Sequence, residues 1–315
     1  MMDEKILVIK LGALGDFVQS LGPMRAIRHH HKNAHITLLT TAPFQKLAKE
    51  SGYFNDIIID CRPKFFQLSK WYTLHEQLND PKFSHVYDLQ NNDRTEFYLK
   101  LFSQKPIWVG AAKGATIRNN LPERTQGLAF HGHVQTLALA GINNVEIDRM
   151  EWVKGNADYN GLKKPYILLV PGSAPSRPEK RWPAEHYASL ASIIFENGFQ
   201  PVLIGTDAER AVTDEITMHA PCALNLTGQT SLFDIVALAR DAAGAIGNDT
   251  GPMHMIAPTA IPTLVLFSQH SNPKRHAPIG AHVKTIREDN LKDLSPQTVW
   301  NEFQIMQRLH PCKDD

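Results

Sequence analysis

The sequence predicts an α/β protein made of two parallel-sheet halves with a cleft between them. Short apolar strand candidates alternate with segments of helical period, which argues for parallel strands covered by helices on both faces. The alternation lapses over a polar stretch at 143–165 and then restarts. Behind several strands stand clusters of glycine and polar residues, where open parallel sheets bind their ligands.

In chain order, residues 5–11 form the first strand and Gly12-Ala13-Leu14-Gly15 a turn. A helix over 16–31 follows, with Phe17, Val18, Leu21, Met24 and Ile27 at helical spacing and basic residues at its end, where the dipole favours them. Strands are expected at 35–39, 56–59, 85–89 and 106–109, with helices near 43–50, 66–79, 93–103 and 133–140. This first domain spans 1–150, and a linker spans 151–165. The second domain, 166–294, opens on a strand at 166–170. It continues with helix 184–197, strand 201–204, helix 207–218, a short strand at 223–226, helix 231–240 and strand 243–246. A helix from Pro252 and a strand at 262–266 follow. Ser295-Pro296 supplies a cap and a proline suited to a first helical turn, opening a last helix to about Leu309 within a C-terminal segment, 295–315.

Bulk properties exclude several classes. Lys and Arg total 33 against 32 for Asp and Glu, so no whole-molecule field attracts nucleic acid. Cys61, Cys222 and Cys312 lie far apart without CxxC or zinc spacing, an odd and sparse set that suggests reduced thiols and a cytoplasmic address. A strand-like run starts at Ile6, leaving no room for a signal peptide. Apolar runs reach about five residues, far short of the roughly 20 that span a bilayer, so a membrane is at most visited at its surface.

Four loops behind strands hold the chemistry. In Gly12-Ala13-Leu14-Gly15-Asp16 the glycines permit a tight turn, and Asp16 stands where a helix begins, as an N-cap or as a general base facing the cleft. A helix N-terminus weakens a carboxylate as a base, although an oxocarbenium-like transition state tolerates this because the acceptor proton can leave late. The turn is not GxGxxG, which disfavours a dehydrogenase. The second loop, 171–183, reads PGSAPSRPEKRWP: hydroxyls, glycine and cations suited to a diphosphate, without Walker spacing. Lys180 and Arg181 serve equally well there as solvated loop charges. In the third loop, Gly205-Thr206-Asp207-Ala208-Glu209, a carboxylate can accept from a ribose diol or simply complement a helix dipole. The fourth runs from Gly247 through Asn248, Asp249, Thr250, Gly251, Pro252 and Met253 to His254, aiming a helix start at an anion. Asp249, repelled by phosphate, suits sugar hydroxyls, and His254 is a ligand contact or a packed helix residue.

In this order and on these elements, the "GxxGD" turn, the "PG…KRWP" loop, the "G…E" loop and the "DTGPMH" segment resemble glycosyltransferase family 9, the ADP-heptose:lipopolysaccharide heptosyltransferases. The resemblance covers roughly residues 5–280, and its last motif is the most specific. It implies a GT-B type fold of two Rossmann-like domains facing across a cleft, with acceptor on the first and donor on the second. It also implies metal-independent, inverting transfer of a heptose from a nucleotide-sugar, ADP-heptose, to a lipopolysaccharide-core-type acceptor. Carried over by position, Asp16 resembles the catalytic base and Lys180 the group meeting the donor phosphates. Glu209 resembles the ribose ligand and Asp249 the sugar-hydroxyl ligand. Thr250 and Gly251 fall near the diphosphate, Met253 and His254 complete the donor segment, and Ser173 and Ser176 match in looser register. Residues 267–273 depart from the Gly-Pro-Thr-Asp-Pro-like stretch of many relatives, which leaves the donor sugar open.

For the acceptor, Gln90 and Arg94 end a strand of the first domain, Gly15 lies in the first turn, and Arg118 and Arg124 populate a later loop. Arg62 and Lys64 follow another strand. A phosphorylated or carboxylated glycolipid would want such cations, as would ordinary solvated loops. No DxD pair or His/Cys cluster suggests a metal, no cofactor is expected beyond the nucleotide-sugar substrate, and His29-His30-His31 should splay into solvent. The expected partners are a nucleotide-sugar and a glycolipid on the cytoplasmic face of the inner membrane. Other readings are an epimerase or a UDP- or GDP-sugar transferase on the same scaffold, or a non-catalytic nucleotide-binding protein. The intact Asp16, Lys180 and Asp249 stand against the last of these.

Overall fold

A computed structural model describes residues 4–173 and 177–309. The chain divides between Asp148 and Arg149 into two units. The first contains β1 (Lys5–Ile9), α1 (Leu14–His30), β2 (His35–Thr40), α2 (Gln45–Ser51), β3 (Asp56–Ile59) and α3 (Leu68–Asn79). It continues with β4 (His85–Asp88), α4 (Asp93–Tyr98), β5 (Ile107–Gly110), β6 (Ile117–Arg118) and α5 (Ala129–Leu139). Its six strands are ordered β3-β2-β1-β4-β5-β6, and every pairing is parallel. Ile6, Leu7, Val8 and Ile9 of β1 are fully buried because helices cover both faces, which is why the strand reads as an unbroken apolar run.

The second unit holds β7 (Tyr166–Val170), α6 (Ala184–Glu196), β8 (Gln200–Leu203), α7 (Arg210–His219), β9 (Leu224–Asn225) and α8 (Leu232–Asp241). Next come β10 (Gly244–Asn248), α9 (Gly251–Ile256), β11 (Thr263–Ser268), α10 (Pro273–His276), β12 (Val283–Glu288) and α11 (Pro296–Leu309). Its all-parallel sheet runs β12-β11-β10-β7-β8-β9, the same winding as the first. Each unit is thus a Rossmann-type doubly wound sheet whose strand order reverses beside its first strand. The reversals lie between β1 and β4 and between β7 and β10. Loops leaving these four strands diverge to opposite faces and open a crevice at the carboxyl edge.

Several elements depart from expectation. Helix α1 starts at Leu14, so Asp16 lies inside its first turn; the cap is Ala13, without a side-chain hydrogen bond. Asp16 is therefore not an N-cap. The polar stretch at 151–165 is tied onto the second unit: the Arg240 guanidinium donates to the carbonyls of Met150 and Val153, and Asp234 accepts from the Asn156 N–H at 2.6 Å. Helix α11 is no appendage, since Val299, Trp300, Phe303 and Met306 belong to the same buried cluster as Trp182, Tyr187 and Ile194. Ser295 accepts from the Thr298 N–H at 3.1 Å and caps it as expected. His31 corrects the picture of three solvated histidines: its ring meets Glu4 at 3.1 Å and the Tyr87 hydroxyl at 2.7 Å, while His29 and His30 are exposed. Among the described residues no helix is long and apolar enough to cross a membrane.

Candidate active site

At the reversal of the first unit, the chain leaves β1 through Gly12, whose φ of 115° suits glycine. Gln90, just past β4, accepts the Leu11 N–H through its side-chain oxygen at 2.9 Å, and Arg62 donates to the Leu11 carbonyl at 2.7 Å. The turn is thus clamped from two neighbouring loops, and Asp16 stands exposed on the first turn of α1. A pocket of about 870 Å³ opens beside the Gly12-Ala13 turn, lined among others by Thr41, Arg62, Gln90 and Arg94. Arg94 is oriented by the Tyr98 hydroxyl at 3.1 Å, which in turn donates to Asp60 at 2.6 Å. The expected Gln90 and Arg94 therefore share one pocket. Gly15 lies in α1, Arg118 is exposed at the end of β6, and Arg124 is half-buried in a turn before α5; none of these three lines it.

Beneath the turn lies a charged layer that the sequence did not advertise. Lys10 is 3% exposed and donates to the Leu89 carbonyl at 3.1 Å. Burial lowers its pKa, and the carboxylates of Asp16 and Asp88 pull it back up. Burial raises the carboxyl of Asp88, against the N–H groups of Asn91 and Gln90 that point at it. His133 is buried and shares a 3.2 Å hydrogen bond with Ser20, whose hydroxyl donates to the Asp16 carbonyl. Burial, then Lys10 and Arg124, hold that imidazole well below its ordinary value of 6.5. The unfolded chain takes up this proton near 6.5 and the folded chain does not, so its contribution to stability is present above 6.5 and is lost as pH falls toward the depressed folded value. His133→Gln should flatten the decline of Tm measured between about pH 6.5 and pH 5. Superimposable slopes would remove His133 from this account.

In the second unit, Asn248 at the end of β10 is fully buried and stitches the neighbouring loop to the sheet. It donates to the Pro171 carbonyl at 2.7 Å and accepts from the Trp182 N–H at 3.2 Å and the Tyr187 hydroxyl at 3.1 Å. The clamp fixes both ends of the 171–183 loop and so sets the position of Lys180. The Lys180 ammonium bonds Asp249 at 2.6 Å, and the same carboxylate oxygen accepts from Ser271 at 2.6 Å. Ser271 belongs to the 267–273 stretch that departs from the family pattern, and nothing in the sequence alone assigns it a place in the site. An ammonium carries three donors, so one bond to Asp249 leaves two for a ligand.

Thr250, the residue after Asp249, lines a pocket of about 270 Å³ together with Val170, Ile204, Leu232, Ile235, Ser173, Thr206 and Glu209. Glu209 Oε2 closes a capping box with the Thr206 N–H at 2.8 Å and hydroxyl at 2.6 Å. The helix-dipole role thus takes one oxygen while the residue still lines the pocket. Gly172 admits it: a Cβ there would stand 2.7 Å from Glu209 Cγ. The Ser173 hydroxyl is committed to its own loop, donating to the Arg177 carbonyl and accepting from Arg181, both at 3.0 Å. Met253 is fully buried, with its sulfur against Gly247. Thr250 caps α9 through its backbone alone, Gly251 opens that helix, and His254 is half-buried within it. Ser176 lies outside the described residues. Among the described residues, no group of three His, Cys, Asp or Glu side chains is placed to hold a metal ion.

Comparison with known proteins bears on this arrangement. The model of Glycosyltransferase family 9 (heptosyltransferase) matches residues 133–302, which take in the second, third and fourth loops. Over 343 aligned residues the chain is 23% identical to lipopolysaccharide heptosyltransferase 2 of Escherichia coli K12, covering 96% of this chain and 98% of that protein. It is 35% identical to lipooligosaccharide heptosyltransferase 2 of Haemophilus ducreyi over 130 residues, 39% of this chain and 37% of the relative. Among solved structures, a family 9 glycosyl transferase from Veillonella parvula superposes with a TM-score of 0.81 at 20% identity, over 98% of this chain and 99% of that one. ADP-heptose lps heptosyltransferase II of E. coli superposes at 0.73 with 22% identity, over 97% and 99%.

Proposed function

From the premise that this chain belongs to glycosyltransferase family 9, the heptosyltransferases, we propose that it moves a heptose from ADP-heptose to a lipopolysaccharide-core-type acceptor with inversion and without a metal. The observation that carries this reading is Lys180, fixed at 2.6 Å by Asp249 behind β10, whose chain neighbour Thr250 lines the Glu209 pocket. In this proposal the apolar floor of that pocket takes adenine, and Glu209 accepts from the ribose diol with the oxygen its capping box leaves over. Lys180 turns its remaining donors to the diphosphate. The bond from the anomeric carbon to the phosphate oxygen breaks with its electron pair going to ADP, while Lys180 and backbone N–H groups stabilise the departing charge. The acceptor hydroxyl oxygen bonds to the opposite face of that carbon and gives its proton to Asp16. Gln90 and Arg94 hold the acceptor in the pocket of the first unit, with the nucleotide-sugar bound by the second.

The test is transfer from ADP-heptose to a heptose-free lipopolysaccharide core, with the anomeric configuration of the product read by NMR. A retained configuration overturns the single-displacement mechanism. EDTA should leave the rate within about twofold, because a preorganised cation already supplies the charge stabilisation. A chelator-sensitive rate that Mg²⁺ restores overturns metal independence.

A further inference from the structure

The surface chemistry of the first unit goes beyond a site for sugars. Between β3 and α3 the chain turns through Lys64-Phe65-Phe66-Gln67, and four large apolar side chains point to solvent within eight residues. Phe65 is 95% exposed, Phe66 74%, Leu68 76% and Tyr72 66%. Phe97, 44% exposed, extends the patch from α4 through a T-shaped contact with Trp71. The exposure belongs to an anchored turn. The Lys64 carbonyl accepts from the Gln67 N–H at 2.9 Å and from the Trp71 indole at 3.1 Å, and the Lys64 N–H donates to the Gln67 side chain at 3.0 Å. Below it, Leu74 and Leu78 fasten α3 into the core. Contiguous apolar surface held out in this way marks an interaction site.

Its charge points to one occupant. Arg62, Lys64 and Lys70 carry positive charge, and no acidic residue occurs from 61 to 75, in a chain whose formal net charge is +1. Phenylalanine, leucine and tyrosine interleaved with lysine suit the boundary between headgroups and acyl chains, where rings sink and cations stay with anionic phosphates. A second copy of the chain, laid patch to patch, would bring these cations against their own images. We propose that residues 64–72 dock this protein on an anionic lipid bilayer. Phe65 follows Arg62 by three residues, at most roughly 11 Å of chain, and Arg62 lines the large pocket with Gln90 and Arg94. Docking therefore brings that pocket to headgroup level, where the sugars of a membrane glycolipid stand. This extends the proposed glycolipid acceptor, yet membrane binding is measured without donor or turnover.

The experiment is flotation of the full chain with vesicles of phosphatidylethanolamine and phosphatidylglycerol, and with vesicles of phosphatidylcholine alone. The wild type should float with the anionic vesicles, more weakly at high salt, and poorly with the neutral ones. Phe65→Ser/Phe66→Ser should lower the partition coefficient by about tenfold or more at unchanged Tm. Lys70→Glu should lower it specifically on anionic vesicles. A double serine variant that floats like the wild type, or a wild type that floats with neither vesicle, overturns the proposal. So does a dimer in sedimentation equilibrium that the double variant converts to monomer without any vesicle binding. On a soluble, deacylated acceptor the double variant should transfer heptose like the wild type. If neither transfers while the wild type still floats, the catalytic reading fails and the docking surface stands.

Discussion

Asp16→Asn is expected to lower heptosyl turnover by at least about a hundredfold while leaving Tm and ADP affinity nearly unchanged. The two readings of this residue separate cleanly, because Asp16 makes no cap: Ala13 occupies that position without side-chain help. Asparagine keeps the size and polarity of the side chain and loses the capacity to take a proton, together with the charge that acts on the helix start and on Lys10. That charge is worth a few tenths of a kcal/mol to about 1 kcal/mol on an exposed first turn. Stability measurements should therefore barely move, and single-turnover rates should collapse. Near-full turnover, with chemistry shown to be rate-limiting, would exclude Asp16 as the base. The structure narrows what could replace it: Asp88 is 1% exposed and faces backbone N–H groups, whereas Asp93 is exposed on the first turn of α4.

Lys180→Ala should lower turnover by about a hundredfold or more, the loss expected when one preorganised donor is withdrawn from developing charge. This substitution also strands Asp249, whose side chain is 8% exposed and, among the described residues, is left with the Ser271 hydroxyl. A fall in activity alone is therefore ambiguous between chemistry and the cost of an unpaired carboxylate. Lys180→Ala/Asp249→Asn resolves it, since the pair can be read as a double-mutant cycle. The double variant should recover most of the Tm lost by Lys180→Ala without recovering turnover. Recovery of both would make the pair a structural clip.

Much of this organisation was legible in the sequence. Strands buried on both faces, such as 6–9 and 167–170, announce themselves as continuous apolar runs, and glycines and polar groups behind them mark the carboxyl edge. Of the four edge strands, β3 and β9 were legible and β6 and β12 were not. β12 alternates Val283, Lys284, Thr285 and Ile286 at partial exposure, and β6 is two residues long, so neither offers a periodic signal. The same holds for polar groups whose partners are distant in the chain. Asn248 reads as a loop residue and is a clamp across some 77 positions to Pro171; Ser271 reaches Asp249 only once β10 and β11 lie side by side. Met253 is a different case, a motif residue whose side chain is fully buried. It sits in the most specific motif, and its sulfur packs so close to Gly247 that a Cβ there would stand 2.6 Å from it.

The burial of α11 bears on the order in which this protein matures on the ribosome. Every strand and helix of the first unit lies before residue 149, so its sheet can close while the rest of the chain is still being made. The second unit differs, because Trp300 and Phe303 complete the cluster that shelters Trp182, Tyr187 and Ile194. Until they emerge, that aromatic face has no cover, and the nascent half-domain offers chaperones a hydrophobic target for the whole interval between synthesis of residue 182 and residue 303.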